Sequence, residues 1–321
     1  MHTTTQTHGT FRGSAGGVLA AVMAAALTFT AGAVNADHAS EMRFGVPTWP
    51  GVTVKSEVAA QLLQHMGYDT DQMNASPAVI LNSLADDDLD IYMGGWMPTQ
   101  REMLDPLEES GDVRVLTENI ADAVMGIAVP EYVRDAGVRT EEDLAEYADE
   151  FDRTIHGIEA GSGFNDSIQE AIDSDRHGLG GWQLLPSSTS AMLAEVQRAV
   201  DREEWIIFLG WEPHWMNVVL DFHYIEAVGD REIAETTSDV LTVGNPVMLD
   251  AHPHVERFLT QYRVPKDEQS AWILEFDRED READEVAHEW IGNNLDLVAE
   301  WLDGVETRDG DAAIDAVRAA Y

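Results

Sequence analysis

Three tryptophans, Trp49, Trp96 and Trp211, stand at the ends of predicted strands, each beside glycine or proline. An indole ring offers a negatively polarised face and a broad apolar surface, and each contact with a cation contributes roughly 0.5–2 kcal/mol. A quaternary ammonium carries positive charge but no N–H, so aromatic faces suit it better than hydrogen-bond acceptors do. A single tryptophan is more simply a core or rim residue. Three in equivalent positions predict a cage for such a cation.

The elements that would position these residues follow an α/β pattern, because short apolar runs alternate with amphipathic stretches. Strands are predicted at residues 42–46, 90–93, 155–158 and 205–209, and helices from about Lys55, at 165–172, at 190–200 and through most of 255–321. Ligands of open α/β sheets bind at the carboxyl ends of strands. We therefore expect the three strand-end loops to meet at one site.

The charge of the chain is strongly asymmetric. Sixty acidic residues face 19 basic ones, giving a formal net charge of −41, and Lys55 and Lys266 are its two lysines. Such a field repels nucleic acid and anionic lipid, so neither is expected as a partner. Scattered acids with almost no lysine indicate a surface that stays hydrated in concentrated salt, and we predict a salt-loving source.

The first 36 residues predict a signal peptide. They contain one arginine and no acid, and they end in the small-x-small pattern Val34-Asn35-Ala36. The apolar run within them is too weakly apolar for a spanning helix, so cleavage near Ala36 is favoured over anchoring, and no membrane insertion is expected.

The chain has no cysteine. Disulfides, thiolate metal sites, thiol nucleophiles and lipid attachment at the cleavage site are therefore excluded. A free, exported protein is expected, and a periplasm is favoured over the surface of a single-membrane cell.

Several motifs resemble the glycine betaine/choline-binding proteins of ABC importers. They are Gly-Trp-Met-Pro-Thr at 95–99, Phe-Leu-Gly-Trp-Glu-Pro-His-Trp-Met-Asn at 208–217, residues 157–161 with Asn165, and residues 301–305. The resemblance covers nearly the whole chain after the signal peptide. It implies an α/β, two-lobed periplasmic-binding-protein fold of type II, with a hinge and a ligand cleft. The expected domains are a signal peptide at 1–36, a first lobe at 37–126 plus 240–321, and a second lobe at 127–239.

The resemblance also implies roles for individual residues. Trp49, Trp96 and Trp211 match the aromatic cage. Choline binders of this type carry an aspartate where this chain has Gly51, and a tyrosine as a fourth wall where it has Met125. A choline hydroxyl suits a carboxylate acceptor, so Gly51 argues against choline.

A betaine carboxylate instead needs donors. The backbone N–H groups of Gly51 and Val52, where the loop enters a helix, supply them. His214 resembles a further donor found in some betaine binders, although a rim histidine bonded to its own loop is equally compatible. Asn165 is expected to complete the polar shell.

The expected function is reversible capture of glycine betaine and delivery to an ABC permease driven by an ATPase, with no catalysis, cofactor or metal. Choline, proline betaine, carnitine and dimethylsulfoniopropionate remain alternative ligands. The rival sites are weaker: His252 and His254 lack a convergent carboxylate, residues 161–163 lack the lysine of a phosphate loop, and nothing pairs Glu159 with Glu212 as an acid and base.

If the acidic surface is an adaptation to salt, the unfolding midpoint should rise between low and molar salt, because added ions screen repulsion among the carboxylates. Thermal unfolding followed at both salt concentrations measures it. An unchanged or lower midpoint in molar salt would contradict the prediction.

Overall fold

A computed structural model of the chain describes residues 40–228, 233 and 236–321. The predicted signal peptide, residues 1–36, lies outside the described residues. The strands are β1 (Glu41–Val46), β2 (Asp69–Asn74), β3 (Ile91–Met97), β4 (Arg114–Pro130), β5 (Thr154–His156), β6 (Gln183–Leu185), β7 (Phe208–Glu212), β8 (Phe222–Tyr224) and β9 (Thr236–Gly244).

The helices occupy the connections between strands and most of the carboxyl-terminal quarter. They are α1 (Pro50–His65), α2 (Pro77–Ala85), α3 (Arg101–Ser110), α4 (Glu131–Ala136), α5 (Gly163–Asp173), α6 (Thr189–Arg202), α7 (Met216–Val219), α8 (Pro246–Ala251), α9 (Pro253–Gln261), α10 (Lys266–Ile273), α11 (Ala283–Asn293), α12 (Leu295–Trp301) and α13 (Ala313–Ala320). Short 3₁₀ turns follow α4 and α5, and a π turn at Leu274–Arg278 follows α10. Within the described residues, no helix has both the length and the apolarity needed to cross a membrane.

The sheet is mixed and has the strand order β2-β1-β3-β9-β4-β7-β5-β6, with β8 beside β4. Parallel pairs lie at its two ends, where β1 pairs with β2 and β3, and β5 pairs with β6 and β7. The long strands β4 and β9 run antiparallel between these ends. Strand β4 pairs with β9 over Arg114–Met125 and with β7 over Val124–Ala128, so it passes from one end of the sheet to the other.

Apolar side chains form separate cores on the two sides of this crossing. We call residues 42–123 and 240–317 the first half of the molecule, and their apolar side chains form two buried clusters. The second half holds a cluster drawn from residues 125–233. The lobe boundaries near residues 126 and 240 stay a prediction.

The predicted α/β character is confirmed, with local differences in where elements begin and end. Helix α1 begins at Pro50 rather than near Lys55, because proline suits the first helical position, where no N–H is needed. Strand β3 extends through the predicted loop to Met97 because it pairs with β9. Strand β7 lies at 208–212 rather than 205–209. Trp96 and Trp211 therefore lie within strands, near their ends.

A partly buried ion pair joins the first parallel strands. Asp90, 3% exposed, accepts hydrogen bonds from the backbone N–H of Arg43 at 2.7 Å and from Nε and Nη2 of its guanidinium at 2.8 Å. The carboxylate raises the pKa of Arg43, chiefly through the side-chain hydrogen bond. This contact fixes the start of β3, and so the strand that carries Trp96.

Replacing Asp90 by alanine should lower the free energy of unfolding by about 3 kcal/mol, because the backbone N–H and guanidinium of Arg43 lose their acceptor. Chemical denaturation measures the change. The control is Asp149→Ala, which removes an exposed ion pair with Arg153 and should cost under about 0.5 kcal/mol. Equal losses in the two variants would contradict the assignment.

Candidate functional site

Side chains from both halves surround a cavity of about 30 Å³. We call it the aromatic cavity. Its lining consists of Trp49, Trp96, Thr99, Gln100, Met125, Ile158, Ser162, Gly163, Phe164 and Trp211. The structure therefore brings the three sequence-predicted tryptophans together at one site.

The three indoles reach the cavity from different parts of the fold. Trp49 precedes α1 at its N-cap and belongs to the core of the first half, whereas Trp211 lies in β7 and belongs to the core of the second. Trp96, in β3, packs against both cores. The cage is thus complete only where the two halves meet.

Two further apolar side chains belong to the lining of the aromatic cavity. Met125 of β4 lies in the lining, at the position where the resemblance sets it in place of a fourth-wall tyrosine. Phe164 was not predicted, and it enters because α5 begins at Gly163. A Cβ at Gly163 would lie 2.6 Å from the carbonyl oxygen of Thr99, so glycine permits this close approach of the halves.

A second, smaller cavity of about 10 Å³ adjoins the first, and we call it the lysine cavity. It shares the three tryptophans with the aromatic cavity. Its other lining residues are Gly51, Val52, Lys55, Gly94, Ile120, Pro213, Gln269 and Ile273. The described lining of both cavities contains no aspartate or glutamate.

Gly51 and Val52 occupy the first turn of α1, where backbone N–H groups lack intrahelical acceptors. Trp49 provides no side-chain cap, and the first turn carries no acidic residue. Gln269 of α10 donates to the carbonyl of Gly51 at 2.6 Å, and a Cβ at Gly51 would lie 2.6 Å from the same nitrogen. The carboxamide thus takes the space of any side chain at position 51.

Asn165 lies behind the lining. Its Nδ2 donates to the carbonyls of Ile158 and Glu159 at 2.9 and 3.0 Å, and its Oδ1 accepts from the N–H of Ile158 at 3.1 Å. Both amide protons are therefore engaged by the loop that carries Ile158. In this structure Asn165 positions a lining residue and is not itself part of the lining.

His214 is 1% exposed and lines neither cavity. Burial lowers its pKa to about 3. Its Nδ1 accepts from the N–H of Met216 at 3.2 Å, so the neutral ring carries its proton on Nε2, which has no hydrogen-bond partner among the described residues. The ring meets Trp211 edge-on, with centroids 5.0 Å apart. The histidine lies against the cage rather than in its lining.

The residues of the rival sites have other contacts. Glu159 accepts from the N–H and hydroxyl of Thr189, while Glu212 lies 3.8 Å from Lys266. His254 accepts from the N–H of Glu306 through Nδ1, and Nδ1 of His252 lies 3.5 Å from the hydroxyl of Tyr68.

The chain following Pro265 contacts the second half beside the site. Asp277 accepts from the hydroxyl of Ser190 at 2.6 Å and from Nε1 of Trp215 at 2.9 Å. Arg278 lies over the Trp215 ring, 4.8 Å from its centroid. These contacts join the halves outside the two cavities.

Two relatives match parts of the chain in sequence. It is 38% identical over 131 residues to the uncharacterized protein ORF1 of Chromohalobacter salexigens, covering 41% of this chain and 84% of that one. It is 32% identical over 158 residues to the glycine betaine/carnitine transport binding protein GbuC of Listeria monocytogenes, covering 49% of this chain and 52% of GbuC. The matched segment thus spans about half of GbuC.

Solved structures share the fold. An ABC-transporter choline binding protein in complex with choline has a TM-score of 0.84 and 29% identity, covering 88% of this chain and 99% of that one. A lactococcal OpuAC complexed with glycine betaine has a TM-score of 0.72 and 24% identity, covering 82% and 99%. The predicted two-lobed binding-protein fold is therefore confirmed. The family model for the substrate binding domain of ABC-type glycine betaine transport systems matches residues 40–293, and the chain belongs to that family.

Proposed function

We propose that this protein reversibly captures glycine betaine and hands it to an ABC permease. The observation that carries the proposal is the aromatic cavity, where three indoles from both halves converge without any acidic side chain in the described lining. Such a surface suits a trimethylammonium group, because cation–π attraction and methyl contacts act together in a desolvated space.

The other end of the ligand has donors in the lysine cavity. The N–H groups of Gly51 and Val52 lie in the uncapped first turn of a 16-residue helix, whose N-terminus favours an anion. The two cavities share the three tryptophans, so a carboxylate bound there lies beside the aromatic cavity. This arrangement supports a betaine, which carries both groups, as the ligand.

Asn165 and His214 act indirectly in this proposal. Asn165 holds the loop of Ile158 through three hydrogen bonds. His214 supports the Trp211 ring by its edge contact. Neither is assigned a ligand contact, which differs from the roles expected from the sequence.

In the cell, the chain is exported through a signal peptide cleaved near Ala36 and works in the periplasm. The closed, loaded form docks on the permease, and an ATPase drives transport. No chemical step is assigned, since the proposed cycle consists of binding, closure and release. Turnover of betaine or choline into a product would replace this role with an enzymatic one.

Choline is the second candidate ligand. The solved relative with a TM-score of 0.84 is a choline binding protein in complex with choline. Choline shares the trimethylammonium group but presents a hydroxyl in place of the carboxylate. Titration of both compounds, followed by calorimetry and tryptophan fluorescence, decides between them, and tighter choline binding would overturn the ligand assignment.

Trp96→Leu should weaken glycine betaine binding by roughly 2- to 30-fold, because leucine keeps apolar volume but removes the aromatic face. Calorimetry on the folded variant measures the loss. Trp205→Leu is the matched control: Trp205 packs on Tyr147 and Phe151 and lines neither cavity, so its loss should leave affinity unchanged. Equal affinities in both variants would reject the cage.

His214→Ala should weaken glycine betaine and choline to the same extent, by roughly 2- to 12-fold, because the variant removes an edge contact that orients Trp211. Parallel titration of the two ligands provides the measurement. A loss confined to glycine betaine would instead identify His214 as a carboxylate donor.

A further inference from the structure

Lys55 is buried without an ionic partner. It is 2% exposed on α1, and its Nζ donates to Oδ1 of Asn119 at 2.6 Å. Asn119 is itself fixed by donating to the hydroxyl of Thr242 at 2.9 Å and to the carbonyl of Met93 at 3.2 Å. Among the residues that the structure describes, no carboxylate forms an ion pair with Lys55. Its identified acceptor is therefore a neutral amide.

This placement is energetically unfavourable for the protein alone. An ammonium taken out of water without a counter-charge costs several kcal/mol. The chain has 60 acidic residues and two lysines, yet none of those acids neutralises this lysine among the described residues. A ligand that brings its own negative charge would offset the cost.

The position of Lys55 matches what such a ligand requires. Lys55 lines the lysine cavity together with Gly51 and Val52, and the three cage tryptophans belong to the same lining. An anion there would meet the ammonium, the first-turn N–H groups and the positive end of the helix dipole together. The cationic end of the same ligand would face the indoles.

We propose that Lys55 determines specificity by binding the ligand's carboxylate, so that the site selects zwitterionic betaines over choline. The proposal rests on the proposed function, capture in the tryptophan cage. It adds the residue that binds the carboxylate end of the ligand. Gly51 contributes to the same selectivity. A Cβ at position 51 would lie 2.6 Å from Nε2 of Gln269, so a neutral carboxamide occupies the space that an acidic side chain there would need.

Protonation adds a readout. Burial lowers the pKa of Lys55 to about 7, so the unliganded residue is partly neutral at pH 7 and mostly neutral at pH 9. A bound carboxylate favours the charged form and raises the pKa, whereas a bound cation disfavours it. Betaine affinity should therefore fall between pH 7 and 9 with proton uptake on binding, and choline affinity should rise.

The named groups around Lys55 do not change charge between pH 7 and 9. Strand β4 presents the neutral Asn119, and α10 presents the neutral Gln269. Tyr262 donates to the carbonyl of Lys55, and burial raises the pKa of its phenol well above the ordinary value. His214, beyond Trp211, has a pKa of about 3 and stays neutral.

The decisive variant is Lys55→Met, which keeps the apolar stem and removes the charge. Glycine betaine should bind roughly 10- to 100-fold more weakly, and choline should bind at least as tightly as before. The fold should tolerate the change, because replacing an unpaired buried charge by an apolar side chain relieves desolvation. Lys266→Met is the matched control. It removes the other lysine, which lies partly exposed beside Glu212, and should affect both ligands equally.

Selective labelling of lysine makes the second measurement direct, because the chain yields two lysine signals in nuclear magnetic resonance. The Lys55 signal should titrate near pH 7 without ligand, and glycine betaine should move it to the charged form at pH 8. Unchanged betaine affinity in Lys55→Met, or a Lys55 signal insensitive to betaine, would overturn the proposal.

Choline would also find an acceptor in the lysine cavity, the side chain of Gln269. Gln269 lines the lysine cavity, and its Oε1 is buried with no hydrogen-bond partner among the described residues, so we assign it as the acceptor for a choline hydroxyl. Wild-type protein that binds choline more tightly than betaine would overturn the assignment to Lys55. Wild-type protein that binds neither compound would instead reject the proposed function itself.

Discussion

A quaternary ammonium has no N–H that a protein can bind through a hydrogen bond, so its recognition depends on aromatic faces held at fixed positions. Here the faces come from an N-cap residue and two strand residues, each held by rigid elements. The rest of the architecture serves this convergence. Strands β4 and β9 carry the chain between the halves, and glycine at 163 allows the start of α5 to approach the carbonyl of Thr99.

Charge is distributed with the opposite logic inside and outside. The surface carries most of a formal net charge of −41, whereas the described lining of the two cavities contains one charged side chain, and that side chain is a lysine. A zwitterion is neutral overall, so the acidic surface neither attracts nor repels it strongly at long range. In the proposed function, recognition of its two charges depends on short contacts inside the desolvated site.

The sequence predicted the α/β fold and the three tryptophans because strand ends beside glycine and proline are local signals. It did not predict Lys55 as a site residue, since a lysine in a helix normally extends to solvent, and its contacts with Asn119 of β4 and with Tyr262 arise only from tertiary packing. Gln269 was not predicted for a related reason, because it lies 218 residues from its contact Gly51 in the sequence. His214 and Asn165 were identified from motifs, which do not reveal that their hydrogen bonds serve the backbone of their own segments.

Trp96 packs against the cores of both halves, and this has a consequence for the empty protein. If the halves separate, the indole must leave at least one core and expose apolar surface, at roughly 25 cal/mol per Å². Closure therefore has a hydrophobic contribution that needs no solute. The chain itself therefore contributes to the contact between its halves, and a ligand bound between them would add to that contribution.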